Sequence, residues 1–336
     1  MKALLVNDAS LGGHHGSALV TEQIKPLGAE CGLVITAGWD WNSTTAVLNS
    51  ITIPFDVVLI NGEGSVHHDS KTAVRISSLA KLLRQKGIPA YLINATVEAC
   101  SSHVIESLSL LRGCYVRDSA SRDVLASYGC QARVVPDLTL STRMTQRRQS
   151  NAGPLLLTDC SDELKTAQLM AIASVWPGVR FVSLRCPPPW PDKGSRARKI
   201  AIELKCLASL RAAITPWSLR YGHAIRLRSE FLDTMASARG IISARYHGVC
   251  LALLLRQPFL AVEGNIGKSA ALLSDVGLDH RIVDLQTLET MSVPPEIPEF
   301  TDLEIQKIDA FLSQAQSAAR DMFRWIARDS RSPHDV

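Results

Sequence analysis

The sequence predicts an α/β protein built from two Rossmann-like, doubly wound domains. Short apolar runs that suit buried parallel strands alternate with longer runs at helical spacing in both halves of the chain. The chain has 336 residues, of which 46% are hydrophobic, so two separate cores can be filled. Residues 141–153 are polar, basic and without periodicity, which is typical of a linker. We therefore expect domains at 1–140 and 154–300, with a C-terminal helical segment, 301–336, packing back on the first domain.

The first half is expected to contribute six strands, each followed by a helix or a turn. Continuous apolar runs without polar alternation indicate strands that are buried on both faces. Gly129 marks the end of the fourth helix as a C-cap residue. The predicted strands are 2–7, 31–37, 56–61, 89–94, 114–117 and 133–135, and the predicted helices are 17–27, 71–86, 103–111 and 119–128.

The second half repeats this alternation. Its predicted strands are 155–160, 180–184, 240–244, 259–262 and 281–285, and its predicted helices are 161–175, 197–213, 231–238, a buried helix that ends at Gln257-Pro258, and 301–328. A proline-rich loop at 186–196 is expected to shape a cleft, and 292–300 is expected to be an extended crossover.

Composition excludes several classes of protein. The net charge of +4 and the aromatic content of 5% do not fit a nucleic-acid-binding protein. The eight cysteines form no CxxC pair, so we expect reduced, buried thiols and no zinc site. No apolar run reaches the ~18–20 residues of a spanning helix, and no leader is visible, so we expect a soluble cytoplasmic protein.

The residues Arg245, Tyr246 and His247 lie where strand 240–244 ends and the next helix begins. Ligands bind at this carboxyl edge of parallel sheets, and the free N–H groups of a helix start favour an anion. Lys268 follows the next strand and is expected at the same edge. The pattern predicts a phosphate or carboxylate ligand, the alternative being that Arg245 and His247 only cap and solvate the helix.

Another polar turn follows strand 56–61 and reads GEGSVHHD, with Glu63 between two glycines. The glycines leave room for a substrate against Glu63, which could then act as a general acid or base. The alternative is a turn glutamate without a partner. Ser65, His67 and His68 in the same turn are candidate acceptor or loop contacts.

Two further strand ends and the first loop supply the remaining candidates. Arg117 and Asp137 each end a strand, and each is either a ligand contact or a member of an internal ion pair. The glycine-rich loop 8–16 contains His14 and His15, which are adjacent and therefore point in different directions. We expect no metal, although the histidines of this loop and of the GEGSVHHD turn together offer ligands for a cation.

Three segments of the chain resemble the polysaccharide pyruvyltransferase family. They are SARYHG followed by QPFLAVEGNIGK, then YVRDSAS with a helix and a strand ending in Asp137, and finally INGEGS. The resemblance implies a glycosyltransferase-B-like fold with an acceptor-side domain at 1–140 and a donor-side domain at 154–300. It also implies transfer of a pyruvyl group from phosphoenolpyruvate to sugar hydroxyls of a bacterial surface glycan, such as an exopolysaccharide or lipopolysaccharide.

The same resemblance assigns roles to individual residues. Arg245 and Arg117 would hold the phosphate or carboxylate of the donor, and His247 would protonate the enol or the leaving group. The matching segments add three donor-binding candidates, Ser243, Glu263 and Lys268. No cofactor is implied beyond the substrate. The expected partners are the activated donor and a glycan or lipid-linked glycan acceptor, with association at the inner face of the membrane and oligomerisation left open.

Two departures from the family pattern support an alternative. Gly16 stands where the family's first turn carries an acid, and Glu63 intrudes into a turn that is otherwise glycine and small residues. In this respect the chain is similar to retaining β-Kdo glycosyltransferases, which use a CMP-activated keto sugar. On that interpretation Asp137 is the nucleophile and Glu63 the acid/base. A third hypothesis is a non-catalytic glycan- or nucleotide-binding module.

Overall fold

The computed structural model describes residues 1–9, 13–39, 55–144, 152–185, 224–225, 227–264 and 267–331. Within them the first half forms one sheet in which every strand pair is parallel. Its strands run in the order β2-β1-β3-β4-β5-β6. Their bounds are β1 Lys2–Val6, β2 Val34–Trp39, β3 Val57–His67, β4 Ala90–Glu98, β5 Gly113–Val116 and β6 Ala132–Val134.

Helices cover both faces of this first sheet. Neighbouring strand residues alternate between two cores: Leu4 belongs to one hydrophobic cluster and Leu5 to another. Because successive side chains point to opposite faces of a strand, the two clusters lie on opposite sides of the sheet. The helices are α1 His15–Glu30, α2 Lys71–Gln85, α3 Ser102–Leu108 and α4 Ser119–Ser127, followed by a 3₁₀ turn, Leu138–Ser141.

The second half forms another parallel sheet, in the order β11-β10-β9-β7-β8. The α/β class with two parallel sheets is thereby confirmed. The strands are β7 Leu155–Thr158, β8 Val179–Val182, β9 Gly240–Ser243, β10 Phe259–Val262 and β11 Ile282–Val283. The helices are α5 Glu163–Val175, α6 Arg228–Ala236, α7 Tyr246–Leu255, α8 Lys268–Val276 and α9 Leu285–Glu289. The predicted helix 197–213, the proline-rich loop 186–196 and most of the predicted linker lie outside the described residues.

A long final helix, α10 (Asp302–Asp329), crosses from one half to the other. Thr301 and Glu304 form a capping box that fixes its start. Its first turns are buried in the core of the second half and its last turns in a core of the first half. The buried residues are Ile308, Phe311 and Leu312 at the start, and Met322, Phe323 and Ile326 at the end. The segment thus packs on the first half, as we had expected, and also on the second.

The third strand departs from the prediction. We expected it to end at residue 61 and to be followed by a turn, but β3 continues to His67. Its pairing with β4 shifts register between Glu63 and Val66, as in a β-bulge. Glu63 adopts a left-handed backbone (φ 44°) at this irregularity. The glycines around Glu63, which had indicated a turn, instead accompany a bulged strand whose side chains are re-aimed. In the part of the chain that the structure describes, every helix is too short or too polar to cross a bilayer.

Candidate active site

A crevice of about 260 Å³ lies between the carboxyl edges of the two sheets. Most of the residues singled out from the sequence line it or stand directly behind it. The first half contributes His14, Ser17, Glu63, Gly64, Ser65 and Arg117, and the second half contributes Ser161, Ala244, Arg245, Tyr246, His247, Gly264, Lys268 and Ser269. The loops of both parallel sheets therefore meet at one site.

His247 stands in the first turn of α7 and is 8% exposed. Its Nε2 lies 3.6 Å from Oδ2 of Asp137, longer than a hydrogen bond, and has no hydrogen-bond partner among the described residues. Its ring centre is 5.4 Å from that of His14. A Cβ at Gly16 would lie 2.3 Å from Cβ of His247. The acid that the family resemblance led us to expect near residue 16 has no room here, because the imidazole packs against this glycine.

Asp137 and Arg117 form a buried ion pair behind His247, with Nη1 2.8 Å from Oδ2. The second carboxylate oxygen accepts the Thr139 backbone N–H at 2.9 Å. Burial opposes ionisation of Asp137, but the charges of His247 and Arg117 and the Thr139 bond together hold its pKa below the usual range. The sequence left open whether Arg117 and Asp137 form an internal ion pair or contact a ligand. The structure shows them paired with each other. The Arg117 guanidinium also lies 4.2 Å from the ring centre of Tyr246.

Arg245 is the N-cap residue of α7 and is largely buried. Its Nη2 donates to Oδ2 of Asp159 at 2.5 Å, while its Nε has no partner among the residues that the structure describes. Asp159 follows β7 and also accepts the Leu184 backbone N–H at 2.9 Å. We had not singled out Asp159, although an acid directly after a buried strand is the same signal that selected Asp137.

Glu63 is held by two side chains that the sequence did not point to. Ser17 donates to Oε2 at 2.8 Å and Asn61 to Oε1 at 3.2 Å. The Ser17 bond joins α1 to β3, and the Asn61 bond lies within β3, where Glu63 has a left-handed backbone. Such a conformation costs on the order of 1–3 kcal/mol for a residue with a Cβ. The carboxylate is therefore fixed at the crevice wall and is not a solvated turn glutamate.

Lys268 begins α8 and reaches across from the second half to the first. Its Nζ lies 3.4 Å from the Gly64 carbonyl oxygen, and a Cβ at Gly64 would sit 2.0 Å from Nζ. A side chain at position 64 would displace this ammonium from its present position. Burial, aided by the charge of Arg117, lowers the pKa of Lys268 to about 8.

Two of the candidates make contacts that belong to the scaffold. The Ser243 hydroxyl lies 3.1 Å from that of Thr158 and donates to the Arg245 carbonyl oxygen, which shapes the turn before α7. The Glu263 carboxylate accepts the backbone N–H groups of Gly264 and Ala270, at 3.2 and 3.1 Å. Neither side chain is among those that line the crevice.

The remaining histidines do not gather around a common point. His15 is buried, stacks on Phe231 at 4.3 Å and approaches the Ile225 carbonyl oxygen at 2.8 Å. His67 and His68 contact each other edge to face, with ring centres 5.6 Å apart. Among the described residues, no group of three His, Cys, Asp or Glu side chains has the geometry of a metal site. Ser65 lines the crevice, and its carbonyl oxygen accepts the Ser70 hydroxyl at 2.7 Å.

Three solved structures show distant similarity to the chain. A functionally uncharacterised protein from Klebsiella pneumoniae is 8% identical, over 84% of this chain and 92% of its own, with a TM-score of 0.47. The UDP-GlcNAc 2-epimerase of Methanocaldococcus jannaschii is 12% identical, over 93% and 99%, also at 0.47. A spinosyn rhamnosyltransferase is 12% identical, over 98% and 96%, at 0.44. No curated protein matches the chain.

A family model gives the decisive comparison. The model described as polysaccharide pyruvyl transferase matches residues 33–265, more than half of the chain. The matched segment includes Glu63, Asp137 and His247, and it leaves His14 and Lys268 outside. With the site and its family match in view, the chain belongs to the polysaccharide pyruvyl transferase family and is a transferase that modifies glycans.

Proposed function

We propose that the enzyme transfers a pyruvyl group from phosphoenolpyruvate to the hydroxyls of a sugar in a bacterial surface polysaccharide. The observation that carries this proposal is the pair of buried nitrogens Arg245 Nε and His247 Nε2, which have no partner among the described residues. A buried polar group without a partner costs about 1–3 kcal/mol, so such atoms at a crevice favour a ligand that supplies acceptors. Lys268 and Arg117 at the same crevice make an anion the best match.

The size of the crevice supports a small donor. About 260 Å³ between the described residues is at the lower end of ligand pockets. Phosphoenolpyruvate is compact and carries its carboxylate and its phosphate on the same carbon atom. Arg245 from the second sheet and Lys268 from α8 offer cationic groups for the two anionic ends.

The reaction balances with the side chains at hand. A proton from His247 adds to the methylene carbon of the donor, which becomes a methyl group, and a sugar hydroxyl adds to the neighbouring carbon. The phosphate then leaves with its bonding electron pair, and a second hydroxyl takes its place to close a ketal. Of the two hydroxyl protons, one restores His247 by way of Glu63 and the other ends on the phosphate. As written, the reaction consumes no cofactor.

In this scheme Asp137 is a positioning residue. It faces the imidazole of His247 at 3.6 Å, beyond hydrogen-bond length, and stays ionised through its pair with Arg117. The alternative, in which Asp137 attacks a CMP-activated keto sugar, requires the donor carbon to reach this carboxylate. Asp137 is 0% exposed and its oxygens already face Arg117 and Thr139, so the geometry favours the supporting role.

A thermal-shift comparison tests the choice of donor. Phosphoenolpyruvate is expected to raise the melting temperature, whereas CMP and CMP-Kdo are not. Arg245→Lys removes Nε and should abolish the shift, while Arg256→Lys at the exposed end of α7 should keep it. Stabilisation by CMP-Kdo, together with a sugar adduct on Asp137 in intact-mass measurements, would support the glycosyltransferase alternative instead.

The role of His247 is tested by His247→Gln, which keeps a side chain of similar length and removes the acid. Phosphate release from phosphoenolpyruvate in the presence of polysaccharide acceptors should fall by about 10²–10⁴-fold. Circular dichroism and the melting temperature should stay close to those of the unchanged enzyme. A fully active His247→Gln variant would end the proposal.

A further inference from the structure

His14 caps helix α1 with its own imidazole ring. The Ser17 backbone N–H donates to His14 Nδ1 at 3.3 Å. Caps of this kind are usually formed by the short oxygen side chains of Ser, Thr, Asp or Asn. Because a ring nitrogen that accepts a hydrogen bond carries no proton, the proton of the neutral ring stands on Nε2. The helix start thus selects one tautomer of His14.

The surroundings also keep this ring uncharged. Burial lowers the pKa of His14 well below its ordinary value, and the positive charges around it act in the same direction. The groups that face it from the neighbouring segments are His247 and Arg245 at the start of α7, Arg185 after β8, and the adjacent His15. Protonation would in addition break the bond from Ser17. His14 is therefore a neutral donor beside the cationic side chains of Arg245 and Lys268.

The ring is placed to meet a substrate. His14 lines the crevice together with Ser17, Glu63 and His247, and its ring is tilted by 59° against that of His247. His247 thus lies between the carboxylate of Asp137 at 3.6 Å and the neutral ring of His14. A neutral N–H at a helix N-terminus stabilises an oxygen that gains negative charge, and it does so without giving up its proton.

We propose that His14 is a further catalytic residue, which donates a hydrogen bond from Nε2 to an oxygen of the bound anionic donor as that oxygen gains charge. The proposal rests on the transfer chemistry proposed above for its substrate class. The two imidazoles of the crevice then have different roles. His247 transfers a proton to the donor, whereas His14 keeps its proton and donates a hydrogen bond. His14 lies outside residues 33–265, the segment that the family model matches.

Two substitutions separate the cap from the donor. His14→Asn keeps an acceptor for the Ser17 N–H and removes the group at the Nε2 position. His14→Gln places an amide near the Nε2 position and weakens the cap. We expect kcat of His14→Asn to fall by about 10²-fold with little change in donor KM or melting temperature. His14→Gln should regain activity and lose thermal stability. A kcat of His14→Asn within threefold of the unchanged enzyme, or no regain in His14→Gln, would overturn the proposal.

Nuclear magnetic resonance of nitrogen-15-labelled histidine tests the same claim without turnover. The His14 signal should show a protonated Nε2 and a bare Nδ1 across about pH 6–8. Titration with phosphoenolpyruvate, and separately with inorganic phosphate, should move its Nε2 proton downfield. A shift with phosphate but not with phosphoenolpyruvate would keep the role of His14 and remove the proposed donor. The opposite tautomer, titration near the ordinary pKa, or no shift with either anion would refute the role of His14.

Discussion

Lys268 illustrates how a single side chain depends on a glycine in another domain. Its ammonium enters the crevice over Gly64, and burial together with Arg117 lowers its pKa to about 8. A lysine in this state is charged at neutral pH and loses its charge soon above it. If it binds the donor phosphate, then donor affinity must follow its protonation.

We therefore expect donor affinity to be constant below about pH 8 and to fall above it by up to about tenfold per pH unit. Isothermal titration with phosphoenolpyruvate between about pH 7 and 9.5 measures this dependence. Lys268→Arg is the matched control, because a guanidinium stays charged throughout this range. Equal affinities of the unchanged enzyme at about pH 7 and 9 would show that Lys268 does not bind the phosphate.

For single residues, the sequence predicts which side chains lie at the carboxyl edge of a sheet, but it does not predict the partners of those side chains. Arg245 and His247 could be predicted because they follow a buried strand and begin a helix. The pairing of Arg117 with Asp137 could not, since strand position does not say whether two neighbouring side chains face each other or a ligand. Ser17 was also missed, because serine is common in the first turn of a helix and therefore does not by itself indicate a functional residue.

At the scale of elements, α8 connects the two halves at three points. Gly267 at its start donates to Oε2 of Glu98 at 3.1 Å, and Lys268 lies over Gly64. At its other end, Asp275 accepts the backbone N–H of Ser119 at 2.9 Å and also the Ser119 hydroxyl. The helix is thereby laid across the ends of β3, β4 and β5. This arrangement holds Lys268 in place.

Removing the contact between Asp275 and Ser119 at one end of α8 should weaken the placement of Lys268 at the other end. Asp275→Ala deprives the first turn of α4 of a carboxylate and should cost about 1 kcal/mol of the free energy of unfolding. We expect donor KM to rise several-fold with kcat nearly unchanged. Asp123→Ala is the control, because it removes an exposed carboxylate of the same helix that pairs with Arg122. An unaltered KM in Asp275→Ala would mean that α8 is positioned by its apolar contacts alone.

The sequence predicted most elements of both sheets, and its errors have physical causes. The alternation of buried strands and helices follows from the spacing of apolar residues, which can be read directly from the sequence. The extension of β3 to His67 was missed because glycines signal turns and bulges equally well. Helix α8 was not predicted either, because it is short and its role is set by contacts with the other half.

At the scale of the whole molecule, α10 joins the two cores, and Glu304 fixes where it starts. The carboxylate accepts from Arg281 at 2.7 and 3.1 Å and from the Thr301 N–H at 2.8 Å. Burial opposes its ionisation, but Arg281, Thr301 and His280 outweigh this and lower the pKa of Glu304 to about 2.

A lowered folded-state pKa means that this group stabilises the fold above its ordinary pKa near 4.5, and that the contribution disappears as the pH falls toward 2. We expect Glu304→Gln to lose about 3 kcal/mol of the free energy of unfolding at neutral pH. The difference from the unchanged protein should shrink progressively below about pH 4.5.

Urea denaturation at several pH values measures both quantities. Glu289→Gln, which alters an exposed hydrogen bond to Gln168, should change little at any pH. If Glu304→Gln lowers the free energy of unfolding equally at pH 3 and pH 7, then the packing of this side chain, and not its charge, stabilises the start of the helix.

The packing of His247 against Gly16 has a consequence for timing. His247 belongs to α7 of the second half, and the glycine wall against which it packs belongs to α1 of the first half. If the halves part to admit reactants in the proposed transfer, the imidazole loses that wall and the neutral ring of His14 at the same time. The proposed transfer would then be restricted to the closed arrangement, from which bulk water is excluded. On the proposed donor, this geometry would limit futile hydrolysis without a separate safeguard.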